Sequence, residues 1–204
     1  VTFEAHESPC GQIENPATVI DRRYRSNPSM IPDFAQSLYD RFEREGIPLL
    51  LAGGWAVCHH GYSRYTSDID WICARTNEAR ALEVMASLDF DIAFEAMATR
   101  FQHKKHPDLA PVDLLWVSDE SFAKMATTGQ KTGRHGDIPV IDFEALLAMK
   151  LHALKDDKDR KGKDILDIRF LLAENPRAIN EEHLRALCER YAGPDAYNQI
   201  RKIP

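Results

Sequence analysis

Three aspartates of this chain fall inside segments that otherwise read as buried β-strands, and that conflict narrows the folds open to it. Asp68 and Asp70 open the run Asp68-Ile69-Asp70-Trp71-Ile72-Cys73, and Asp113 lies within Pro111-Val112-Asp113-Leu114-Leu115-Trp116-Val117. Strand side chains alternate between faces, so Asp68 and Asp70 share one face and Ile69 takes the other. The apolar continuation puts both strands in a covered sheet, where an unpaired acid is costly. A lone D-x-D pair suits a solvated edge strand equally well; a third acid in a second apolar strand points instead to a shared partner. Crowded carboxylates repel one another unless a cation intervenes, and Mg²⁺ takes oxygen ligands from carboxylates and substrate phosphates together. The expectation is that Asp68, Asp70 and Asp113 hold two Mg²⁺ ions, with Mn²⁺ as the alternative metal.

The segment upstream adds the second half of a phosphate site. Pro48-Leu49-Leu50-Leu51-Ala52 is a short buried strand that stops at Gly53-Gly54, where a short helix begins. Backbone N–H groups at a helix start can approach a triphosphate closely when no Cβ intervenes. A plain tight turn is the simpler reading of the pair. Thirteen residues separate Gly54 from Asp68, enough for one short helix and a return loop, so glycines and acids should meet at one sheet edge. Ser67 in that loop is a further nucleotide-binding candidate, and Arg64 a possible one.

The rest of the chain reads as an α/β fold with a mixed sheet and C-terminal helices. Residues 1–30 lack periodicity and form an N-terminal arm; 31–141 form the α/β core; 142–204 form a helical region. Within the core, 32–45 and 78–88 are predicted helices, and 91–96, 99–104 and 111–117 predicted strands. The stretch 119–136 has no clear pattern, and 138–141 is a short last strand. Helices are predicted over 142–156, 164–174, 180–191 and 194–201. With 204 residues the chain supports one substantial core, and its net charge of −6 argues against a broad basic surface for nucleic acid. Cys10, Cys58, Cys73 and Cys188 are scattered and expected to be reduced thiols. Neither a signal-peptide pattern nor an eighteen-residue apolar run occurs, so a cytoplasmic protein with no membrane association is expected.

The order Gly-Gly, short helix, D-x-D and a lone Asp on a later strand resembles the nucleotidyltransferase superfamily related to DNA polymerase β. More narrowly, several segments look like the AbiEii-type group. They are Gly53-Gly54-Trp55-Ala56-Val57, the run His60 to Asp70, Leu147-Ala148-Met149-Lys150-Leu151-His152-Ala153-Leu154 and Lys161-Gly162-Lys163-Asp164-Ile165-Leu166-Asp167-Ile168. That group includes toxins of type IV toxin–antitoxin systems, some of them similar to tRNA-modifying nucleotidyltransferases. The resemblance covers roughly residues 47 to 172. Gly54 departs from the superfamily, in which many members carry Ser at that place, so a hydroxyl contact to phosphate is lost there and the backbone is left to make it.

Lys150 falls on the stripe formed by Phe143, Leu147, Leu151 and Leu154, a core-facing place for a cation. Either its stem is packed with the ammonium at the edge, or it meets a β or γ phosphate. Lys155 to Lys163 holds five basic and three acidic residues, a net +2 stretch that is either a solvated connector or a rim attracting a triphosphate or an RNA end. Lys163 and Arg160 are its candidate contacts. Asp164 and Asp167 read as an approximate capping box complementing the helix dipole, and the resemblance alone suggests a role in activity for an acid of this motif.

Together these features imply transfer of a nucleoside monophosphate from an NTP to an acceptor hydroxyl with release of pyrophosphate. The acceptor expected from the resemblance is an RNA end, that of a tRNA, with an antitoxin protein as a possible partner. A small-molecule acceptor such as an aminoglycoside or lincosamide, and a non-catalytic binding module on the same fold, are the alternatives.

Overall fold

The computed structural model describes residues 33–131, 138–156 and 161–201, so the expected arm at 1–30 lies outside the described residues. Helix α1 (Asp33–Arg44) buries Ala35, Leu38 and Phe42, carries Asp33 in its first turn and Arg41 and Arg44 in its last, and so complements its own dipole. Gly46, at φ 66°, turns the chain out of it. Strand β1 (Leu49–Leu51) follows, wholly buried, and helix α2 (Gly53–His59) starts two residues beyond it. After the return loop come β2 (Ile69–Ala74), α3 (Glu78–Ser87), β3 (Phe90–Glu95), β4 (Ala98–His103) and β5 (Val112–Val117).

The region 119–136, patternless in sequence, contains helix α4 (Asp119–Thr128) and strand β6 (Gln130–Lys131). Ser118 caps α4 by accepting from the Ser121 N–H. Strand β7 (Pro139–Val140) precedes four helices: α5 (Phe143–Asp156), α6 (Lys161–Glu174), α7 (Glu181–Ala192) and α8 (Ala196–Arg201). Asn180 caps α7 through the His183 N–H.

Among the described residues seven strands form one sheet in the order β3-β4-β5-β2-β1-β7-β6. The centre is the parallel β2–β5 pair, flanked by antiparallel β1 and β4, and it sets the register that matters: Ile69 opposite Val112, Asp70 opposite Asp113, Trp71 opposite Leu114. Trp71, Phe101, Leu114, Ile69 and Ile72 are among the most deeply buried side chains, and Tyr39 of α1 stacks on Trp71 at 5.9 Å. Helices α2 and α4 pack against β2, while α6 and α7 pack on α5. This arrangement holds the start of β2, the start of β5 and the middle of α5 around one cleft. Among the described residues no helix is long and apolar enough to cross a membrane, and Cys58, Cys73 and Cys188 are free thiols.

Candidate active site

Because β2 and β5 are parallel and in register, Asp70 and Asp113 emerge side by side, and Asp68 joins them from the bend before β2. One carboxylate oxygen from each of the three lies within 4.8 Å of the others. Their mutual repulsion is visible on Asp70: burial first, then the charges of Asp68 and Asp113, push its carboxyl up to about 6. Lys150 and a hydrogen bond donated by the Gly54 backbone N–H oppose that rise without cancelling it. A cluster of oxygen donors with an unmet demand for positive charge fits a hard divalent cation, and Asp68, Asp70 and Asp113 are the residues that would hold it.

Part of that demand is met by a residue that sequence reasoning missed. Arg100, on β4 directly opposite Asp113, donates from Nε to Asp113 Oδ1 at 2.7 Å and from Nη2 to Asp113 Oδ2 at 2.6 Å. The same Nη2 reaches Asp68 Oδ2 at 3.1 Å. Its side chain is 41% exposed, so this guanidinium closes the acid cluster from the solvent side. The signal available in the sequence was the alternation Ala98, Arg100, Gln102 on one face of a predicted strand; that this face meets Asp113 follows only from the register between β4 and β5.

The glycine pair has a definite steric role. Gly53 sits at φ 56°, and a Cβ there would lie 1.7 Å from Asp70 Oδ2. A Cβ on Gly54 would lie 2.2 Å from the Thr66 hydroxyl oxygen and 3.3 Å from Arg64 Nη1. The pair thus lets the start of α2 close on Asp70 and on the return loop. Thr66, buried, donates its hydroxyl to Asp68 Oδ1 at 3.1 Å, so a hydroxyl does stand beside position 54, supplied from the loop. Ser67 is exposed at the bend and is not among the residues lining the cleft.

The capping reading of Asp164 and Asp167 is corrected by the structure. Helix α6 begins at Lys161, which puts both acids inside the helix on its buried face, 2% and 1% exposed. Lys150 Nζ contacts Asp164 Oδ1 at 2.7 Å and Asp167 Oδ2 at 2.8 Å. Arg64 completes the cluster with two hydrogen bonds to Asp167, Nε at 2.6 Å and Nη2 at 2.8 Å. Burial raises the Asp167 carboxyl, but the Arg64 hydrogen bonds and the Lys150 charge outweigh it and hold the group below its usual value. Lys150 is therefore neither a simple snorkelling side chain nor a free ammonium: it ties α5 to α6, and its field reaches Asp70.

A cleft of about 1200 Å³ opens over these groups, bordered by Gly53, Asp68, Asp70, Trp116, Lys150 and Lys163 among others. Lys163 is exposed on its rim. Arg160 lies outside the described residues.

Comparison with known proteins agrees with this geometry. The family model described as nucleotidyl transferase AbiEii toxin, type IV TA system, matches residues 134–204, the part that carries Lys150, Asp164 and Asp167 rather than the three sheet acids. A crystal structure of ANT(2'')-Ia in complex with adenylyl-2''-tobramycin aligns with TM-score 0.59 and 15% identity over 78% of this chain and 94% of that one. JHP933 from Helicobacter pylori aligns with TM-score 0.52 and 16% identity over 88% and 75%. Lincomycin-bound LnuA, a lincosamide antibiotic adenylyltransferase, aligns with TM-score 0.50 and 18% identity over 67% and 95%. At these identities the likeness speaks for the fold. A search of curated proteins finds no match. This chain thus shares its fold with these nucleotidyltransferase structures, and its C-terminal third matches the AbiEii family model.

Proposed function

We propose that the protein transfers a nucleoside monophosphate from an NTP to a hydroxyl at an RNA end, that of a tRNA, with release of pyrophosphate. The observation that carries this reading is the convergence of Asp68, Asp70 and Asp113, with oxygens within 4.8 Å of one another, beside a cleft that Asp68 and Asp70 line and that is large enough for a nucleotide. Divalent cations held by these carboxylates supply neutralisation of the pyrophosphate and activation of the acceptor hydroxyl. In the step itself the acceptor oxygen forms a bond to the α-phosphorus, the bond from that phosphorus to the bridging oxygen breaks, and the hydroxyl proton passes to Asp113. Both oxygens of Asp113 accept from Arg100, so the guanidinium competes with that proton for the carboxylate. Lys150 and Lys163 are the cations at hand for the β and γ phosphates, while Gly53 and Gly54 border the place where the triphosphate enters. Lys150 has two of its three donors committed to Asp164 and Asp167, which leaves one for a phosphate oxygen.

RNA is preferred as acceptor because the chain resembles a group some of whose members are similar to tRNA-modifying nucleotidyltransferases, and the AbiEii match over 134–204 supports that resemblance. A toxin role with a silencing antitoxin partner belongs to the same reading. Transfer to a small molecule is favoured by one observation, the fold similarity to ANT(2'')-Ia and LnuA, whose structures hold an adenylylated aminoglycoside and a lincosamide. Incubation with each α-labelled NTP, Mg²⁺ and either total RNA or a panel of aminoglycosides and lincosamides separates the two. Label is expected on RNA; label on a drug, or on nothing, overturns the reading. Asp70→Asn and Asp113→Asn should lower turnover at least ~100-fold, about 3 kcal/mol of transition-state stabilisation.

A further inference from the structure

The edge strand next to the acid cluster carries an irregularity that the transfer reaction alone does not explain. Along β3, Ile92 is opposite Phe101 of β4, yet Phe94 is opposite Arg100, so two consecutive β4 residues face β3 residues two apart. Ala93 is the extra residue of a β-bulge. Directly opposed residues of an antiparallel pair share a face, and Phe101 is buried on the side away from the acids. Without the bulge, alternation would put Phe94 on that side with Ile92. With it, Phe94 is re-aimed onto the acid face, a known use of bulges beside active sites.

The register then forms one row across four strands: Phe94, Arg100, Asp113, Asp70. Phe94 is 63% exposed, and Met97, at the turn between β3 and β4, is 72% exposed and borders the cleft. Edge strands ordinarily carry charge or proline as protection, so a large aromatic here is costly to solubility unless something covers it. Phe94 lies two strand spacings from Asp113, ~10 Å between backbones, a gap that the Phe94 side chain and a nucleotide stacked on it span together.

We propose that Phe94, with Met97 beside it, is the stacking surface for the terminal base of a single-stranded RNA acceptor, and that it positions the acceptor hydroxyl over Asp113. The exposed aromatic face selects this occupant. The aromatic adjoins the cationic Arg100; Asp91, on the same face, is already paired with Lys104 at 3.0 Å; and Glu95 faces away with Thr99. An unstacked base finds an aromatic face there, and Arg100, once a cation takes its place on the acids, is a guanidinium for the adjoining phosphate. This inference rests on the RNA reading above and adds to it the residue that does the positioning.

The test uses an RNA oligonucleotide ending in 2-aminopurine, whose fluorescence is quenched by stacking, bound to the full chain with Mg²⁺. Wild type should quench it; Phe94→Ala should bind about ten-fold more weakly or worse and lose the quench, while Phe94→Tyr retains both. In turnover, Phe94→Ala should raise the KM for RNA and leave the KM for NTP unchanged. Absence of oligonucleotide binding, equal affinity in Phe94→Ala, or a wild-type dimer that Phe94→Ala dissolves would overturn the proposal. Label on RNA with a fully competent Phe94→Ala sinks the stacking surface only; label on a drug sinks the RNA reading as well.

Discussion

A single guanidinium engages both oxygens of Asp113 and one of Asp68, the same oxygens that a divalent cation on the acceptor side would need. Arg100 is thus a built-in counterion that makes the metal-free cluster tolerable. Being 41% exposed, it is screened by water, so its hold on the acids is on the order of 1 kcal/mol rather than that of a buried pair. A cation bound at Asp113 has to displace it. Removing the competitor should tighten the site: in Arg100→Gln, Mn²⁺ titration followed by electron paramagnetic resonance is expected to give a Kd about five-fold lower than wild type. Unchanged or weaker Mn²⁺ binding in that variant means that the guanidinium and the metal do not share the oxygens. At this scale the acids were legible because strand alternation and an apolar setting depend only on neighbours in sequence. Arg100 was not, since its partner is thirteen residues away and is reached only through the β4–β5 register.

Helix α6 is fastened to the return loop before β2 by Arg64 and Asp167, and to α5 by Lys150 with Asp164 and Asp167. All four side chains are at least 88% buried, so the cluster is charged, internal and balanced, two cations against two carboxylates. Breaking such a balance strands a buried charge, which costs about 3–5 kcal/mol. Asp167→Asn should therefore lower the unfolding free energy by about 3 kcal/mol at pH 7, read as a shift in the urea midpoint. The sign with pH follows from its depressed carboxyl: the contribution is complete above the unfolded value near 3.8 and is lost as pH falls through the lower folded value. The two midpoints should draw together as pH falls below 3.8, and a gap that does not narrow in acid would contradict the ion-pair account. This cluster also explains why an i, i+3 pair of acids misled: the spacing suits a helix cap and a buried helix face alike, and only the contacts with Lys150 and Arg64 decide. Elements with dense apolar stripes, such as β2, β5 and α5, were predicted within a residue or two of their ends. Helix α4 was not, because Phe122 is its only fully buried side chain and so thin a stripe leaves almost no periodic signal.

The cleft draws its walls from both halves of the molecule: Gly53, Asp70 and Trp116 from the sheet side, Ala148, Lys150 and Lys163 from the helices. Neither half alone presents both the acids and the cations that a nucleotide with its metal would engage. The opposing groups already sense one another in the free protein, since the charge of Lys150 acts on Asp70 across the floor of the cleft. Ligand binding should therefore be a property of the assembled molecule rather than of the sheet. A Mg²⁺–NTP complex at a hundred times its Kd adds about 2.7 kcal/mol of stability, which for a chain of this size raises Tm by roughly 5–10 °C. Chelation of the metal should reverse that rise. Hydrogen exchange locates it: amides of β2 and of α5 should slow together when Mg²⁺ and NTP are added, because the complex bridges the two. Slowing confined to β2 and β5 would mean that the helices are bystanders, and the roles given to Lys150 and Lys163 would have to be withdrawn while the carboxylate cluster stood.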